Sequence, residues 1–208
     1  MWNLLVEPDG RSGAENMARD DALLGQALRT GAATLRLYRF DPPCWSIGRN
    51  EPAIECPGVA WVRRPTGGGA VWHEHEVTYA VAAPLAMFGR LRDAYRGIHE
   101  RLAAALRSLG VDATLASDRP TVRLADRPTA CFAATVGGEV LVAGRKVIGS
   151  AQVRRDTAFL QHGSILLDGS PDMANATTLR EVLGRTVTFE EVADAIATAW
   201  DLAPLAAR

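Results

Sequence analysis

The sequence predicts an α+β fold, in which strands run in meanders and helices stand in separate blocks, rather than the alternation of a doubly wound sheet. Two observations carry this. Between Glu139 and Asp168 three strand-like runs follow one another with tight connections, whereas Arg90–Leu109 and the segment after Thr188 carry apolar residues at helical spacing. With 208 residues the chain suffices for one large domain, 1–208, with a sizeable core.

The elements follow in order. Ala14–Arg29 places Met17, Leu23, Leu24, Ala27 and Leu28 on a helical pattern, with carboxylates early and an arginine late, the charge order a helix dipole favours. Leu35–Phe40 alternates apolar and polar residues, and after Asp41-Pro42-Pro43 the segment Cys44–Gly48 resumes an extended pattern, so the two are expected as neighbouring strands. Ala60–Arg64 and Val77–Ala82 flank a glycine run as strand, loop, strand. In Arg90–Leu109, Leu91, Tyr95, Ile98, Leu102, Ala105, Leu106 and Leu109 form an apolar stripe, and Gly110 stands where a C-cap belongs. Ser117–Thr129, rich in Asp, Arg and Pro, reads as a surface loop. The meander comprises Val140–Ala143, Lys146–Val153 and Ala158–Leu167, turning at Ala143-Gly144 and Arg154-Arg155-Asp156. Thr188-Phe189-Glu190-Glu191 is a capping box opening a last helix through Val192, Ile196 and Trp200.

A formal net charge of −1 argues against a nucleic-acid partner, whose affinity would come from neutralising phosphates. Three cysteines, Cys44, Cys56 and Cys131, form no Cys-x-x-Cys pair and suggest neither a disulfide framework nor a zinc site. No segment reads as a signal peptide or a membrane span, so a cytoplasmic protein with no membrane partner is expected.

Two features point to chemistry. Lys146 is the only lysine, all other members of the 23 Lys and Arg being arginine, and it lies in Gly144-Arg145-Lys146-Val147-Ile148-Gly149-Ser150-Ala151-Gln152. An ammonium differs from a guanidinium in shape, hydration and titration range. The second is Arg63-Arg64-Pro65-Thr66-Gly67-Gly68-Gly69, followed by His73. Glycines without Cβ atoms let backbone N–H groups approach an oxyanion or phosphate. The run is neither a Walker loop nor a dinucleotide fingerprint, since no Gly-Lys-Ser/Thr follows and a strand rather than a helix comes next. His73 and His75, two apart on one strand face, lack an evident third ligand, so no metal is expected.

Taken in order, Arg63–Gly69, Cys131-Phe132, Gly144–Gln152 and Gln161-His162-Gly163-Ser164-Ile165-Leu166-Leu167 resemble the lipoate–protein ligase and octanoyltransferase superfamily, whose catalytic domain is shared with biotin–protein ligases. The resemblance spans roughly Asn16–Asp168. It implies a mixed or antiparallel sheet with flanking helices around a tunnel for a medium-length acyl chain, and it gives Lys146 the position of the lysine that holds the acyl carbonyl.

Cys131-Phe132, upstream of Lys146, is similar to the nucleophile motif of the Gram-positive type of octanoyltransferase, and His73–Tyr79 is also nearer to the transferases. Gly69 is nearer to the ligases. The resemblance thus implies transfer of an octanoyl group from acyl carrier protein to the acceptor lysine of a lipoyl domain, as in glycine cleavage H protein or a dehydrogenase E2 subunit. Cys131 would carry the acyl group as a thioester, and the Lys146 ammonium would lower its thiol pKa from about 8.5. No cofactor is then needed, since exchange between thioesters is nearly isoenergetic. Lipoate–protein ligation through a lipoyl-adenylate, requiring ATP and magnesium, and a non-catalytic acyl-binding subunit are the alternatives. The expected binding residues are Arg64, Thr66, Gly67, Gly68, Gly69, His73, Gly149, Ser150, Ala151, Gln152, His162 and Gly163, with the oxyanion donors left open between Gly67–Gly69 and Ser150–Gln152. Arg63, Arg64, Arg154 and Arg155 are candidates for adenylate or an acidic carrier protein, while Cys44 and Cys56 are expected to be inert.

Overall fold

The computed structural model describes residues 1–53, 58–117, 137–169 and 175–202. A strand absent from the sequence reading opens it. β1 (Trp2–Arg11) pairs in parallel with β2 (Ala33–Phe40), and α1 (Gly13–Thr30) crosses between them as a βαβ unit. Ser12 and Glu15 form a capping box at the start of α1, and Gly31 ends it in the left-handed conformation.

The remaining pairings of the main sheet are antiparallel. β6 (Glu76–Pro84) lies beside β2, β11 (Ala158–Leu166) beside β6, and β10 (Ile148–Arg155) at the edge, giving the order β1-β2-β6-β11-β10. The result is the mixed sheet of an α+β fold.

Two three-stranded sheets flank it. In one, β3 (Cys44–Ile47) lies between β4 (Trp61–Arg63) and β5 (Val71–His73). Cys44–Gly48 is therefore not a neighbour of β2, as expected, but belongs to a separate sheet. The glycine run joins β4 to β5, which pair with opposite edges of β3 and not with each other. The other sheet orders β7 (Ala113–Leu115), β8 (Val140–Val142) and β9 (Arg145–Lys146). Here the single strand expected over Lys146–Val153 divides, because Lys146 pairs with Leu141 while Ile148 pairs with Ile165. Val147 is where the chain passes from one sheet to the other.

α2 (Leu91–Ser108) and α4 (Phe189–Ala199) cover one face of the main sheet and α1 the other. The Thr188–Glu191 capping box opens α4 as expected. A short α3 (Leu179–Leu183), capped by Thr178, lies between strand β11 and α4 in sequence and is too brief for periodicity to reveal. From residue 118 onward the expected Ser117–Thr129 loop lies outside the described residues, as do Cys56, Cys131 and Phe132.

The alternation of Leu35–Phe40 identifies a strand but not its surroundings. Its polar side would ordinarily face water, yet Arg36 is 1% exposed and Thr34 and Tyr38 are buried with it beneath α1. The fold must satisfy that guanidinium internally.

Candidate active site

Asp20, on the inner side of α1, lies where Arg36 and Tyr38 of β2 and His162 of β11 converge. Arg36 Nη1 donates to Asp20 Oδ1 at 2.8 Å, Nη2 to Asn16 Oδ1 at 2.7 Å, and Nε to Glu7 Oε2 at 2.7 Å. The guanidinium also stacks on the Tyr38 ring, 3.7 Å from its centroid. The second oxygen of Asp20 accepts from Tyr38 Oη at 2.9 Å and from His162 Nδ1 at 2.8 Å. Burial pushes the Tyr38 phenol well up, with the Asp20 charge adding to it, and burial lowers the His162 pKa. A neutral His162 with its hydrogen on Nδ1 leaves Nε2 to accept the hydroxyl hydrogen of Thr66, 2.7 Å away.

Thr66 begins the glycine loop, which is laced to the segment after β3. Arg49 N donates to Thr66 O and Arg64 N to Ile47 O, each at 2.8 Å. Arg64, itself buried, turns its guanidinium back under the loop and donates to Ser46 O at 2.6 Å, Ser46 Oγ at 2.8 Å, Gly67 O at 3.1 Å and Gly69 O at 2.7 Å. Gly68 holds φ +90°, and a Cβ on Gly48 would fall 2.0 Å from Gly68 O. Side chains at either place would force the loop off β3. The carbonyls of Gly67 and Gly69 face Arg64 and that of Gly68 faces Gly48, and the N–H groups of the three glycines donate to no acceptor among the described residues.

His73, at the end of β5, bridges the same region to β6. Its Nδ1 is hydrogen-bonded to Glu76 Oε1, its Nε2 lies 2.5 Å from Ser46 Oγ, and its ring stacks on Phe40 at 3.9 Å. Thr78 also donates to Glu76 Oε1 at 2.7 Å. His75 is not on the same strand, contrary to expectation. It lies in the exposed turn between β5 and β6.

These groups surround one cleft. Met17, Phe40 and Val71 give it apolar walls, Tyr38, Thr78 and Ser164 add hydroxyls, and Ser46, Arg64 and His73 border it. Gly149, Ser150 and Ala151 of β10, with His162 and Gly163 of β11, complete the lining. Gly163 admits no side chain, since a Cβ would meet Gly149 O at 2.3 Å and Tyr79 Cε1 at 2.9 Å. Seven of the expected binding residues therefore meet in one place. Thr66 and the three loop glycines brace the cleft from behind Arg64, and Gln152 joins a polar network with Gln161.

Lys146 is not among the lining residues. It is 1% exposed, and its Nζ lies 2.7 Å from Glu139 Oε1 in a buried ion pair. Arg63 and the pair Arg154 and Arg155 are exposed and engaged locally: Arg63 with Gly48 O and Glu51 O, Arg154 with Asp156 O, Arg155 with Asp21. Cys44 is buried, and burial, with the Glu76 charge adding to it, pushes its thiol up to about 11, which disfavours the reactive thiolate.

Sequence reasoning missed Asp20, Arg36, Ser46, Glu76, His99 and Glu139. Asp20 read as part of a helix-dipole charge pattern and Arg36 as the solvent side of a strand. Glu76 stood inside the His73–Tyr79 run, three residues after His73, where a carboxylate partner for that ring was there to be found.

The chain matches the lipoyl protein ligase A/B catalytic domain over residues 12–201. It is 39% identical over 230 residues to the octanoyltransferase LipM of Symbiobacterium thermophilum and 38% identical over 232 residues to that of Kyrpidia tusciae, covering 94% of this chain and 84% of the relative in each case. Among solved structures it is similar to the putative lipoate protein ligase Ta0514 of T. acidophilum, with a TM-score of 0.78 at 22% identity, covering 96% of this chain and 83% of the other. A lipoate-protein ligase A bound with ATP superimposes with a TM-score of 0.76 at 21% identity, covering 97% and 87%.

Proposed function

The chain belongs to the lipoyl protein ligase A/B catalytic domain family, and we propose that within it this protein is an octanoyltransferase of protein lipoylation, moving an octanoyl group from acyl carrier protein to a lysine of a lipoyl domain through a thioester on Cys131. The observation that carries this reading is the identity to octanoyltransferases over 94% of the chain; the resemblance of Cys131-Phe132 to a nucleophile motif supports the thioester.

The cleft suits an acyl chain. Met17, Phe40 and Val71 supply an apolar wall against which each buried methylene gains about 0.8 kcal/mol. The polar rim of Arg64, His73 and His162 is held by buried partners and needs no rearrangement as substrate enters. The Cys131 thiolate attacks the donor thioester, the carrier leaves as its thiolate, and the lysine amine of the lipoyl domain then takes the acyl group; Lys146 would supply positive charge to these steps on leaving its Glu139 partner. This chemistry uses neither ATP nor metal. The acceptor is a lipoyl domain such as that of glycine cleavage H protein or a dehydrogenase E2 subunit, and the compartment is the cytoplasm. No helix among the described residues is long and apolar enough to cross a membrane.

One assay tests the reading. Octanoyl carrier protein should label the wild-type chain with a hydroxylamine-labile adduct at Cys131 and octanoylate a lipoyl domain, and Cys131→Ala should abolish both. Transfer of free lipoate that depends on ATP and survives Cys131→Ala would instead establish a ligase.

A further inference from the structure

A chain of hydrogen bonds runs from the cleft into the core beneath α2, and its direction is determined at every link. His99 Nδ1 lies 2.8 Å from Gly138 O, a carbonyl that only accepts, so Nδ1 carries the ring hydrogen. The ring is fully buried, and burial drives its pKa down to about 3, leaving a neutral imidazole with Nε2 as an acceptor. Ser150 Oγ, 2.8 Å from Nε2, therefore donates its hydrogen to His99. Tyr79 Oη, 2.7 Å from Ser150 Oγ, donates to Ser150 and accepts from Gln161 Nε2 at 2.8 Å. Gln161 Oε1 in turn accepts from Gln152 Nε2 at 2.7 Å. Reversing any of these links would set two hydrogens or two lone pairs against each other.

Ser150 is the member of this chain that lines the cleft. Its hydrogen is committed to His99 and one lone pair to Tyr79, so the oxygen offers a substrate only its second lone pair. A hydroxyl in that state cannot stabilise an oxyanion. At the carbon of an acyl thioester the sulfur and the carbonyl oxygen both accept, and among the reacting groups only the attacking amine carries N–H.

We propose that Ser150 Oγ accepts a hydrogen bond from the incoming lysine amine of the lipoyl domain, and that His99 is the positioning residue that sets this polarity. The proposal rests on the acyl-transfer reading above. In the step, the amine lone pair forms the C–N bond, the C–S bond breaks with its electron pair leaving on sulfur, and the surplus amine proton ends on that thiolate. Ser150 takes no proton. It orients the nitrogen lone pair toward the carbonyl carbon, which serves transfer to the acceptor and not loading from the donor.

The two half-reactions separate these roles. The full chain is loaded with octanoyl carrier protein in the absence of acceptor, the octanoyl-enzyme is quantified by intact mass, and a lipoyl domain is then mixed in to time the transfer. Ser150→Ala should load at close to the wild-type rate and transfer about ten-fold more slowly, the scale of one lost hydrogen bond. His99→Leu, checked for folding by circular dichroism, should repeat this split. His99→Gln, which can still donate to Gly138 O and accept from Ser150, should recover most of the transfer rate. Equal slowing of both half-reactions in Ser150→Ala, or unchanged transfer, overturns the proposal even if His99→Leu fails to fold. A wild-type chain that neither loads nor transfers overturns the transferase reading itself.

Discussion

The two faces of the main sheet bury their side chains by different means. Beneath α2 and α4, Leu35, Leu37, Val77, Val81, Phe159 and Ile165 meet Ile98, Leu102, Leu106 and Val192 in a continuous apolar core, threaded by the polar chain through Tyr79 and His99. Beneath α1 the same strands present Arg36, Tyr38 and His162 to Asp20 and Asn16, with Met17, Leu24, Ala80 and Leu160 beside them. Apolar burial stabilises by area and tolerates small shifts, whereas buried charges are stable only when every partner is in place. The face that carries the cleft is thus the one whose geometry is specified atom by atom.

The largest effect should come from the buried ion pair on the α2 side. Lys146→Arg keeps the charge but sets a wide planar head in a filled site, so turnover with octanoyl carrier protein should fall to below about a tenth of wild type, alongside ~1–3 kcal/mol of overpacking strain. Near-wild-type turnover would remove Lys146 from the site.

Asp20→Ala leaves the Arg36 guanidinium without its buried counter-charge and His162 without its Nδ1 acceptor. It should cost about 3–5 kcal/mol in urea unfolding and also weaken acyl binding. Leu102→Ala on the opposite face should cost ~2–5 kcal/mol by cavity formation while leaving the rate per folded molecule unchanged. The comparison breaks if Leu102→Ala alters acyl binding as much as Asp20→Ala does.

A third test varies pH. His99 and His162 have folded pKa values below the unfolded value of about 6.5, so the unfolded chain takes up protons that the folded chain refuses. Their contribution to stability is complete above pH 6.5 and is lost as pH falls from there toward the folded values, about 3 for His99, at up to about 1.4 kcal/mol per pH unit for each ring. Urea midpoints at pH 7 and pH 5 should show a drop that is smaller in His99→Gln. Smallest of all, Thr188→Ala at the start of α4 should cost about 1 kcal/mol with no change in rate, as befits a cap remote from the cleft.

Part of this molecule could be read from local spacing. The spans of α1, α2 and α4, the capping box at Thr188 and the hairpin of β10 with β11 are encoded in contacts a few residues apart, so periodicity and caps reveal them. The motif residues Arg64, His73, Gly149, Ser150, Ala151, His162 and Gly163 stood out by composition and order, and the fold gathers them into one cleft. β1 did not stand out, because Trp2–Arg11 lacks clean alternation and becomes a strand by pairing in parallel with β2 across the intervening helix.

The sequence by itself determined the fold class, the helices with their caps, and seven motif residues that meet in the cleft. Only the tertiary structure decided how those residues are held. Asp20 and His162 are 142 positions apart, Thr66 meets His162 across 96 positions, and Ser150 receives its polarity from His99 on another element. A hydrogen bond or ion pair depends on distance and direction in space, and for residues so far apart along the chain those are set by packing alone.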